Sequence, residues 1–319
     1  MYEFDVNHCQ ILDREIVKNP WDPKNYSPPK MSQTVWPTEA SVQYTIDGLL
    51  ITEGACLRAI WYRLKGYPSE EIVDPRLYWV WQFGRTFEND SNFLTQSAGV
   101  LAGKSLRFRN EKTKIPISGE MDGICSFRDP NGKEVKYVID YKTTGGNYEG
   151  NSGLLGNSKK TPFPKIENML QLMIYLDYDP ENLKFGKLVY MIRDRLERTE
   201  FTIRLDRSVP SVVANVKAAI SGREDILKAQ SRSYPQYSMA EIYRRYNLVA
   251  DYYETNKLPP RDYAIEYTDE RAEKLWSFGK LSNSAFENHK KKKGDKAGDF
   301  QCRYCKFQKQ CWEIDKDAP

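Results

Sequence analysis

The amino-acid sequence predicts an α/β fold in which a mixed central sheet is flanked by helices. Two β-rich runs, 114–127 and 135–142, flank an Asp-Pro-Asn-Gly turn at 129–132, a pattern typical of a hairpin. The segment 166–178 has the apolar spacing of an amphipathic helix, and β-rich runs within 187–205 extend the sheet. A chain of 319 residues, 40% of them hydrophobic, is long enough for one large or two ordinary domains with a sizeable core.

The first 64 residues are predicted to form an irregular arm followed by a helix. Prolines interrupt regular structure throughout residues 1–40, which we interpret as an arm that wraps the body of the protein or holds a partner. A helix is expected over 41–64. It contains Cys56, which is followed by the basic and aromatic residues Arg58 and Trp61.

A second helix is expected over 74–99, where aromatic residues are interleaved with polar ones. Strands follow near 105–109, over 114–127 and over 135–142. The connection at 143–164 is rich in glycine and is interpreted either as a mobile lid or substrate loop, or as plain disorder. It lacks the glycine, lysine and serine or threonine spacing of an ATPase phosphate loop.

The strand after the turn places a carboxylate and an ammonium group side by side. Side chains alternate along a strand, so Asp140 and Lys142 share one face while Ile139 and Tyr141 share the other. Asp122 lies on the preceding strand and is within cross-strand reach of both. The hairpin therefore brings two carboxylates and a lysine to one strand end.

The remaining elements are a helix, two strands and two further helices. The helix at 166–178 places Gln171 and Tyr175 on one face, because they are four residues apart. Strands are expected over 187–193 and 198–205.

The two further helices are expected over 209–229 and 239–254. Basic residues in the C-terminal part are candidate phosphate contacts, although such residues are usually solvated: Arg244, Arg245, Lys257, Arg261 and the run 290–293.

Charge and cysteine content limit the class of protein. A net charge of +4 permits a polyanionic partner without requiring one. The N-terminal residues lack the pattern of a secretory signal, and no apolar run is long enough to span a bilayer, so a cytoplasmic protein is expected. In that compartment the six cysteines are expected to be thiols or metal ligands rather than disulfides.

The acidic residues of the hairpin suit a hard divalent cation. Mg²⁺ typically takes one or two protein carboxylates and fills its other positions with water and phosphate oxygens. Asp122 and Asp140 are candidate ligands, and Lys142 would steer an attacking water. The alternative is an ordinary surface hairpin whose ion pair contributes little.

Three motifs follow one another in the chain: Gly119-Glu120-Met121-Asp122-Gly123, Asp140-Tyr141-Lys142 and Gln171-Leu172-Met173-Ile174-Tyr175. Together, over about 84–175, they resemble the RecB-type branch of the PD-(D/E)XK nucleases. The resemblance implies a restriction-endonuclease-like core. It also implies that Gln171 holds the metal-bound water or a phosphate and that Tyr175 contacts the DNA backbone.

The resemblance also implies further metal ligands. The sequence Gly-Arg-Thr-Phe-Glu at 84–88 looks like the first nuclease motif, in which many members have histidine where this chain has Glu88. Glutamate is an oxygen ligand suited to Mg²⁺, whereas histidine would favour Mn²⁺. The backbone carbonyl of Ile139 is the remaining implied ligand.

The cysteines at the two ends of the chain resemble those of iron-sulfur RecB-type nucleases. Cys302, Cys305 and Cys311 form the C-terminal trio of that group, and Cys56 corresponds to its distant fourth ligand. Thiolates bind a 4Fe-4S cluster or Zn²⁺, and four cysteines do not distinguish the two. Rival fourth ligands are His8 and Cys9, whereas Cys125 is expected in the core. Residues 41–319 would form one domain, with 295–319 closing onto the helix that carries Cys56.

The expected function is therefore Mg²⁺- or Mn²⁺-dependent hydrolysis of DNA. Similarity to the CRISPR-associated RecB-like exonucleases and the AddB nuclease domain favours trimming of single-stranded DNA or DNA ends in recombination, repair or phage DNA metabolism. A recombination or replication protein is an expected partner. The alternatives are a non-catalytic DNA-binding or scaffold protein with the same fold, and an endonuclease.

Overall fold

Two β-sheets with helices packed on them make up this computed structural model, which describes residues 33–70, 75–128, 130–145, 163–179, 181–193, 197–210, 212–220, 231–291 and 297–316. The strands are Ser41–Ile46 (β1), Leu49–Gly54 (β2), Leu101–Asn110 (β3), Ile117–Arg128 (β4), Glu134–Thr144 (β5), Leu183–Ile192 (β6), Glu197–Asp206 (β7), Val213–Ile220 (β8) and Ser231–Ser238 (β9). The fold is thus mixed α/β, as the sequence predicts.

The larger sheet contains seven strands, β3 to β9, in the order in which they occur in the chain. Neighbouring strands are antiparallel except β5 and β6, which are parallel, so the sheet is mixed. The predicted hairpin is confirmed: Arg128 pairs with Glu134 at its turn end, and Gly132 in the turn has a positive φ of 76°.

The α-helices occur from residue 57 onward in the described part of the chain. They are Leu57–Lys65 (α1), Pro75–Ser97 (α2), Ile166–Tyr178 (α3), Met239–Glu254 (α4), Asp269–Ser277 (α5), Asn283–Lys291 (α6) and Phe300–Arg303 (α7). A π-helical turn follows at Gln310–Ile314. The predicted helices at 166–178 and 239–254 are confirmed with the bounds of α3 and α4. No helix of the described ranges is both long and apolar enough to cross a membrane.

The helix predicted over 41–64 is wrong for most of its length. Residues 41–54 form the antiparallel hairpin β1–β2, and α1 begins only after Cys56. Asp47 and Gly48 both have positive φ, at 44° and 79°, which is the conformation of a two-residue hairpin turn. The Asp-Gly pair between the apolar residues Ile46 and Leu49 is the signal that the helical interpretation overlooked.

The helix predicted over 209–229 is also wrong where the structure describes it. Residues 213–220 form β8, which pairs with β7 along its whole length and with β9 on its other side. Sheet pairing supplies backbone hydrogen bonds and outweighs a weak local preference for helix. Residues 221–230 lie outside the described part of the chain.

The end of the predicted N-terminal arm packs against the sheet. Val35 is fully buried and its backbone bonds with Pro116 and Ser118 beside β4. Residues 33–40 therefore lie along the body of the protein. Residues 1–32 and most of the glycine-rich connection, at 146–162, are outside the described ranges, so the expectations about the rest of the arm and about a lid concern residues that are not described.

Helix α3 connects the two parallel strands and is buried on nearly all sides. Its apolar residues Leu170, Leu172 and Ile174 have no exposed surface. A Cβ placed on Gly186 of β6 would lie only 2.7 Å from Leu172, so the absence of a side chain there allows close helix–sheet approach. This packing fixes α3 directly beside β5 and β6.

Candidate functional site

The predicted acidic cluster lies where β4 and β5 separate. The two strands are paired from Arg128 and Glu134 as far as Gly123 and Ile139, and no further. Just beyond, the carboxylate of Asp122 accepts a hydrogen bond from the Tyr141 backbone N–H at 2.8 Å. The side chain thus replaces a strand partner and holds Asp122 at the open edge of β5.

Asp140 and Lys142 form a close ion pair on β5. Lys142 Nζ lies 2.8 Å from Asp140 Oδ2 and donates a hydrogen bond to Oδ1 at 3.0 Å. Asp140 has no exposed surface, and among the described residues its Oδ2 makes no hydrogen bond beyond this contact with the ammonium group. A buried carboxylate oxygen supported by one ammonium group alone can accept a further ligand.

The electrostatics of the site show an excess of negative charge. Burial, together with the charge of Asp140, raises the pKa of Asp122 to about 8, and Glu88 adds to this effect while Lys142 opposes it. Burial also raises the pKa of Asp140. Burial alone would lower the pKa of Lys142, but the surrounding carboxylates outweigh it and the pKa lies above its usual value. One lysine does not neutralise three acids, so the site favours a further cation.

Helix α2 brings Glu88 to this cluster. Its residue Phe87 packs edge-on against Tyr141 of β5 at 5.8 Å between ring centroids, and Thr95 shares a 2.9 Å hydrogen bond with the Tyr141 hydroxyl. The Glu88 carboxylate raises the pKa of both Asp122 and Lys142. The structure therefore unites the acid of the first motif with those of the hairpin.

Gln171 and Tyr175 form a buried hydrogen-bond chain next to the acids. Gln171 Nε2 donates to the Tyr175 hydroxyl at 2.6 Å, which donates to the backbone carbonyl of Glu120 at 2.9 Å. Asp140 and Asp122 both contribute to the raised pKa of Tyr175, after burial. The Tyr175 hydroxyl is thus engaged inside the protein and ties α3 to β4.

The residues fit a hard divalent cation in their chemistry but do not form a complete cage. Within the described ranges, no group of three or more histidine, cysteine, aspartate or glutamate side chains is arranged to hold a metal ion. Two features fit a partial site of the kind Mg²⁺ uses, with water and phosphate completing the shell. Asp140 Oδ2 makes no hydrogen bond in the described ranges beyond its contact with Lys142, and the pKa of Asp122 is raised. Ile139, the implied carbonyl ligand, lies beside Asp140 in the last residue pair of the β4–β5 ladder.

The four predicted cysteine ligands line a single pocket. Cys56 precedes α1, whereas Cys302, Cys305 and Cys311 belong to the C-terminal segment. Burial raises the pKa of Cys56 and of Cys302 to about 12, and the neighbouring thiols add to the effect. Four cysteines are a donor set that suits a 4Fe-4S cluster or Zn²⁺, which would favour their thiolate forms. In the described ranges, however, no three of these side chains are arranged to hold a metal ion.

Polar contacts attach this C-terminal segment to α1. Arg58 donates to the Pro259 carbonyl at 2.7 Å and to Cys311 Sγ at 3.7 Å. Tyr62 donates to Asp315 at 2.7 Å. Hydrogen bonds of the protein itself therefore hold the C-terminal segment against α1. The rivals His8 and Cys9 lie outside the described residues, and Cys125 is fully buried, as expected of a core residue.

Most of the predicted phosphate contacts have structural roles. Arg245 is 2% exposed and pairs with Asp262 at 2.8 Å, so its assignment as a surface contact is wrong. Arg261 donates to the Cys311 carbonyl at 2.6 Å and lies over the Trp312 ring. Arg244 pairs with Glu241 one turn earlier. Lys257, Lys290 and Lys291 are exposed, whereas residues 292 and 293 are outside the described ranges.

Asn92 is a polar residue near the site that the sequence reasoning missed. It is 1% exposed, and among the described residues neither its Nδ2 nor its Oδ1 has a hydrogen-bond partner. A Cβ on Gly123 would lie 3.4 Å from its Oδ1, so Asn92 faces the strand that carries Asp122. Its spacing of four residues from Glu88 was the available signal.

Comparisons with known proteins add little. No family model matches the chain, and no curated protein matches it. A solved structure titled "Crystal structure of SSO0001" is similar at 19% sequence identity over 62% of this chain and 78% of that chain, with a TM-score of 0.35. This likeness is too weak to support an argument about fold or function.

Proposed function

We propose that this protein is a metal-dependent deoxyribonuclease of the RecB-type PD-(D/E)XK branch, with a restriction-endonuclease-like core, and that it trims DNA ends. The observation that carries the proposal is the buried Asp140–Lys142 pair beside Asp122 at the edge where β4 leaves β5. A purely structural ion pair would not require a second buried carboxylate beside it, because that carboxylate is forced to hold its proton.

Asp122, Asp140 and Glu88 would bind Mg²⁺ or Mn²⁺, with the Ile139 carbonyl as a further ligand. The bound cation would lower the pKa of a coordinated water and withdraw charge from the scissile phosphate. The carboxylates would orient the cation, and Asp140 Oδ2 is the oxygen that the described part of the protein supports through the Lys142 ammonium alone. Their excess negative charge supports this role.

Lys142 would act as a charged hydrogen-bond donor. Its raised pKa keeps the ammonium protonated at neutral pH, so in the resting site it donates rather than accepts a proton. Its side chain is 23% exposed, so Lys142 lies at the rim of the buried acids. From there it would orient the attacking water and stabilise the negative charge that builds up on the phosphate.

Gln171 and Tyr175 would hold the strand that carries Asp122 in position. Their hydrogen-bond chain ends on the carbonyl of Glu120, two residues before Asp122, and so restrains the strand that carries this carboxylate. The Gln171 amide also offers a second N–H to a water or phosphate oxygen. Contact of Tyr175 with the DNA backbone would require its hydroxyl to leave Glu120.

We further propose that Cys56, Cys302, Cys305 and Cys311 bind a 4Fe-4S cluster, with Zn²⁺ as the alternative. Their common pocket supports this set. The metal would cross-link segments about 250 residues apart in sequence, so its role would be stability of the fold rather than chemistry at the acids.

The test is cleavage of end-labelled linear and closed circular DNA with Mg²⁺, Mn²⁺ or EDTA, using protein purified without oxygen. We expect metal-dependent shortening of linear DNA only, abolished in Asp140→Ala and Lys142→Ala. The matched control is Lys187→Ala, because Lys187 also sits in an ion pair on the neighbouring strand β6, with Glu200. This variant is expected to cut like the wild type.

Each alternative has its own outcome in that experiment. Cutting of circular DNA would identify an endonuclease. Binding that is equal with and without EDTA, and without any cleavage, would support a non-catalytic DNA-binding protein. Full activity in either Asp140→Ala or Lys142→Ala would contradict the assigned site.

A further inference from the structure

The N-terminal half of α2 exposes a group of large aromatic side chains. Trp79 is 52% and Trp81 is 57% exposed. Tyr78, Trp81, Gln82 and Arg85 together line a surface pocket. Large apolar side chains clustered at a surface are unfavourable in water unless a partner covers them, so this pocket is a candidate binding surface.

The pocket continues the helix face that carries Glu88. At 100° per residue, Tyr78, Trp81, Arg85 and Glu88 fall on one side of α2. Trp79 starts on the other side, but its ring packs edge-on against Tyr78 at 5.4 Å between centroids. With a rise of about 1.5 Å per residue, Trp81 lies about 10 Å along the helix from Glu88. The aromatic surface and the acidic site therefore form one continuous stripe.

The sheet supports only the later part of this stripe. A Cβ on Gly84 would lie 3.5 Å from Thr143, near the end of β5, and the helix packs on that strand from there onward. Trp81 and Tyr78 precede this contact, so they extend past the last residues of β5. Within the described ranges, the same face is thus packed near the acids and exposed at Trp81.

We propose that Tyr78, Trp81 and Arg85 form a stacking platform for unpaired bases of the DNA strand that is cut, and this inference rests on the proposed nuclease function. Aromatic faces stack on any base, and an arginine among them pairs with phosphate or stacks in turn. A distance of about 10 Å corresponds to about three stacked nucleotides at about 3.4 Å each.

Charge and shape favour unpaired DNA over other occupants. Glu88 and the acids lie at one end of the stripe and Arg85 lies within it, so a phosphate backbone following the stripe meets a cation before the metal site. Paired bases already stack on one another and present no free face to Trp81. The platform therefore selects single strands or frayed ends.

The test is the affinity of labelled single-stranded oligonucleotides for the full chain in EDTA, where metal-dependent cutting is absent. Trp81→Ala is expected to weaken binding about 10- to 100-fold, the loss of one base–aromatic stack, and Trp81→Phe should retain most of the affinity. Phe93→Ala is the matched control, because it removes an exposed aromatic residue from the same helix that does not line the pocket. It should change binding by less than about two-fold.

The outcomes separate the platform from the nuclease. Equal losses in Trp81→Ala and Phe93→Ala, or equal losses for blunt duplex and single strand, would overturn the platform. So would a Trp81→Ala variant that changes the oligomeric state or melting temperature but not DNA affinity, since another protein surface would then cover the pocket. If Trp81→Ala selectively loses affinity for single-stranded DNA but the wild-type protein never cuts DNA, the platform is supported and the nuclease function is refuted.

A second readout locates the platform relative to the cut. Abasic sites are placed one at a time along a single-stranded substrate and cleavage is measured with Mg²⁺. We expect slower cutting only for positions about two to four nucleotides to one side of the cut, with no additional loss in Trp81→Ala. Base stacking at Trp81 would be contradicted if an abasic site slowed cleavage equally at every position. It would also be contradicted if the abasic site and Trp81→Ala slowed cleavage additively.

Discussion

Asp122 is the residue at which the demands of stability and function conflict most clearly. Its carboxylate is buried beside Asp140, and its pKa is raised to about 8. An acid whose pKa is higher in the folded than in the unfolded chain holds its proton more tightly when folded. The contribution of Asp122 to the free energy of unfolding is therefore most favourable below the unfolded pKa of about 3.9 and becomes less favourable as pH rises toward 8.

Replacement of Asp122 by Asn should stabilise the metal-free protein at alkaline pH. The amide remains able to accept the Tyr141 N–H but carries no charge. We expect the free energy of unfolding to rise by about 2–4 kcal/mol at pH 8 and the difference to vanish near pH 4. Urea unfolding across this range measures it.

The control for that measurement is Asp90→Asn on the exposed face of α2, which should show no such pH dependence. Mg²⁺ should raise the stability of the wild type at pH 8 and leave Asp122→Asn unchanged, because binding requires the ionised carboxylate. A variant less stable than the wild type at pH 8 would show that the carboxylate is not strained.

Lys142 compensates the charge of Asp140, so its removal should affect stability as well as cleavage. Lys142→Met leaves a buried carboxylate without its partner, which we expect to lower the free energy of unfolding by about 1–3 kcal/mol at pH 7. The double variant Asp140→Asn with Lys142→Met should recover most of this loss while remaining inactive. A double variant as unstable as the single one would indicate that lost packing, not charge, is responsible.

At the scale of elements, Tyr175 links helix α3 to strand β4. Tyr175→Phe removes the hydroxyl that bonds both Gln171 and Glu120, and leaves the buried Gln171 amide without its acceptor. We expect a loss of about 1–3 kcal/mol in unfolding free energy and slower cleavage, because β4 is less firmly held at Asp122.

Tyr178→Phe on the same helix is the matched control for that link. Tyr178 is 42% exposed, and this change should alter stability by less than about 0.5 kcal/mol. Chemical denaturation and single-turnover cleavage of both variants provide the comparison. Equal effects of the two changes would show that the Tyr175 hydroxyl does not position the strand.

At the scale of the whole molecule, the cysteine pocket joins α1 to the C-terminal segment. Cys305→Ser should abolish bound metal and lower the free energy of unfolding by about 3–5 kcal/mol, because the cross-link between distant segments is lost. Visible absorption and iron and zinc analysis report the metal. Thermal unfolding reports the stability.

The control for the cysteine experiment is Cys9→Ser, which should retain the metal if Cys56 is the fourth ligand. Loss of metal in Cys9→Ser but not in Cys56→Ser would assign the rival ligand instead. Metal-free protein should lose stability above about pH 9, since burial raises the pKa of Cys56 and Cys302 to about 12 and the folded chain therefore holds these protons more tightly.

The sequence by itself determined the features that depend on neighbouring residues. The turn at 129–132 specified the β4–β5 hairpin, strand alternation placed Asp140 beside Lys142, and helical spacing defined α3 and its Gln171–Tyr175 pair. The Asp47-Gly48 turn was equally readable but was interpreted as part of a helix. Local rules sufficed here because each contact spans only a few residues.

Tertiary structure alone decided the features that depend on distant segments. Strand β8 exists because β7 and β9 offer unpaired backbone groups, and Arg245 is buried because Asp262 pairs with it. The approach of Glu88 to Asp122 likewise arises from packing of α2 on β5. Burial and charge at one site are sums over segments far apart in the chain, and residue spacing contains no information about those sums.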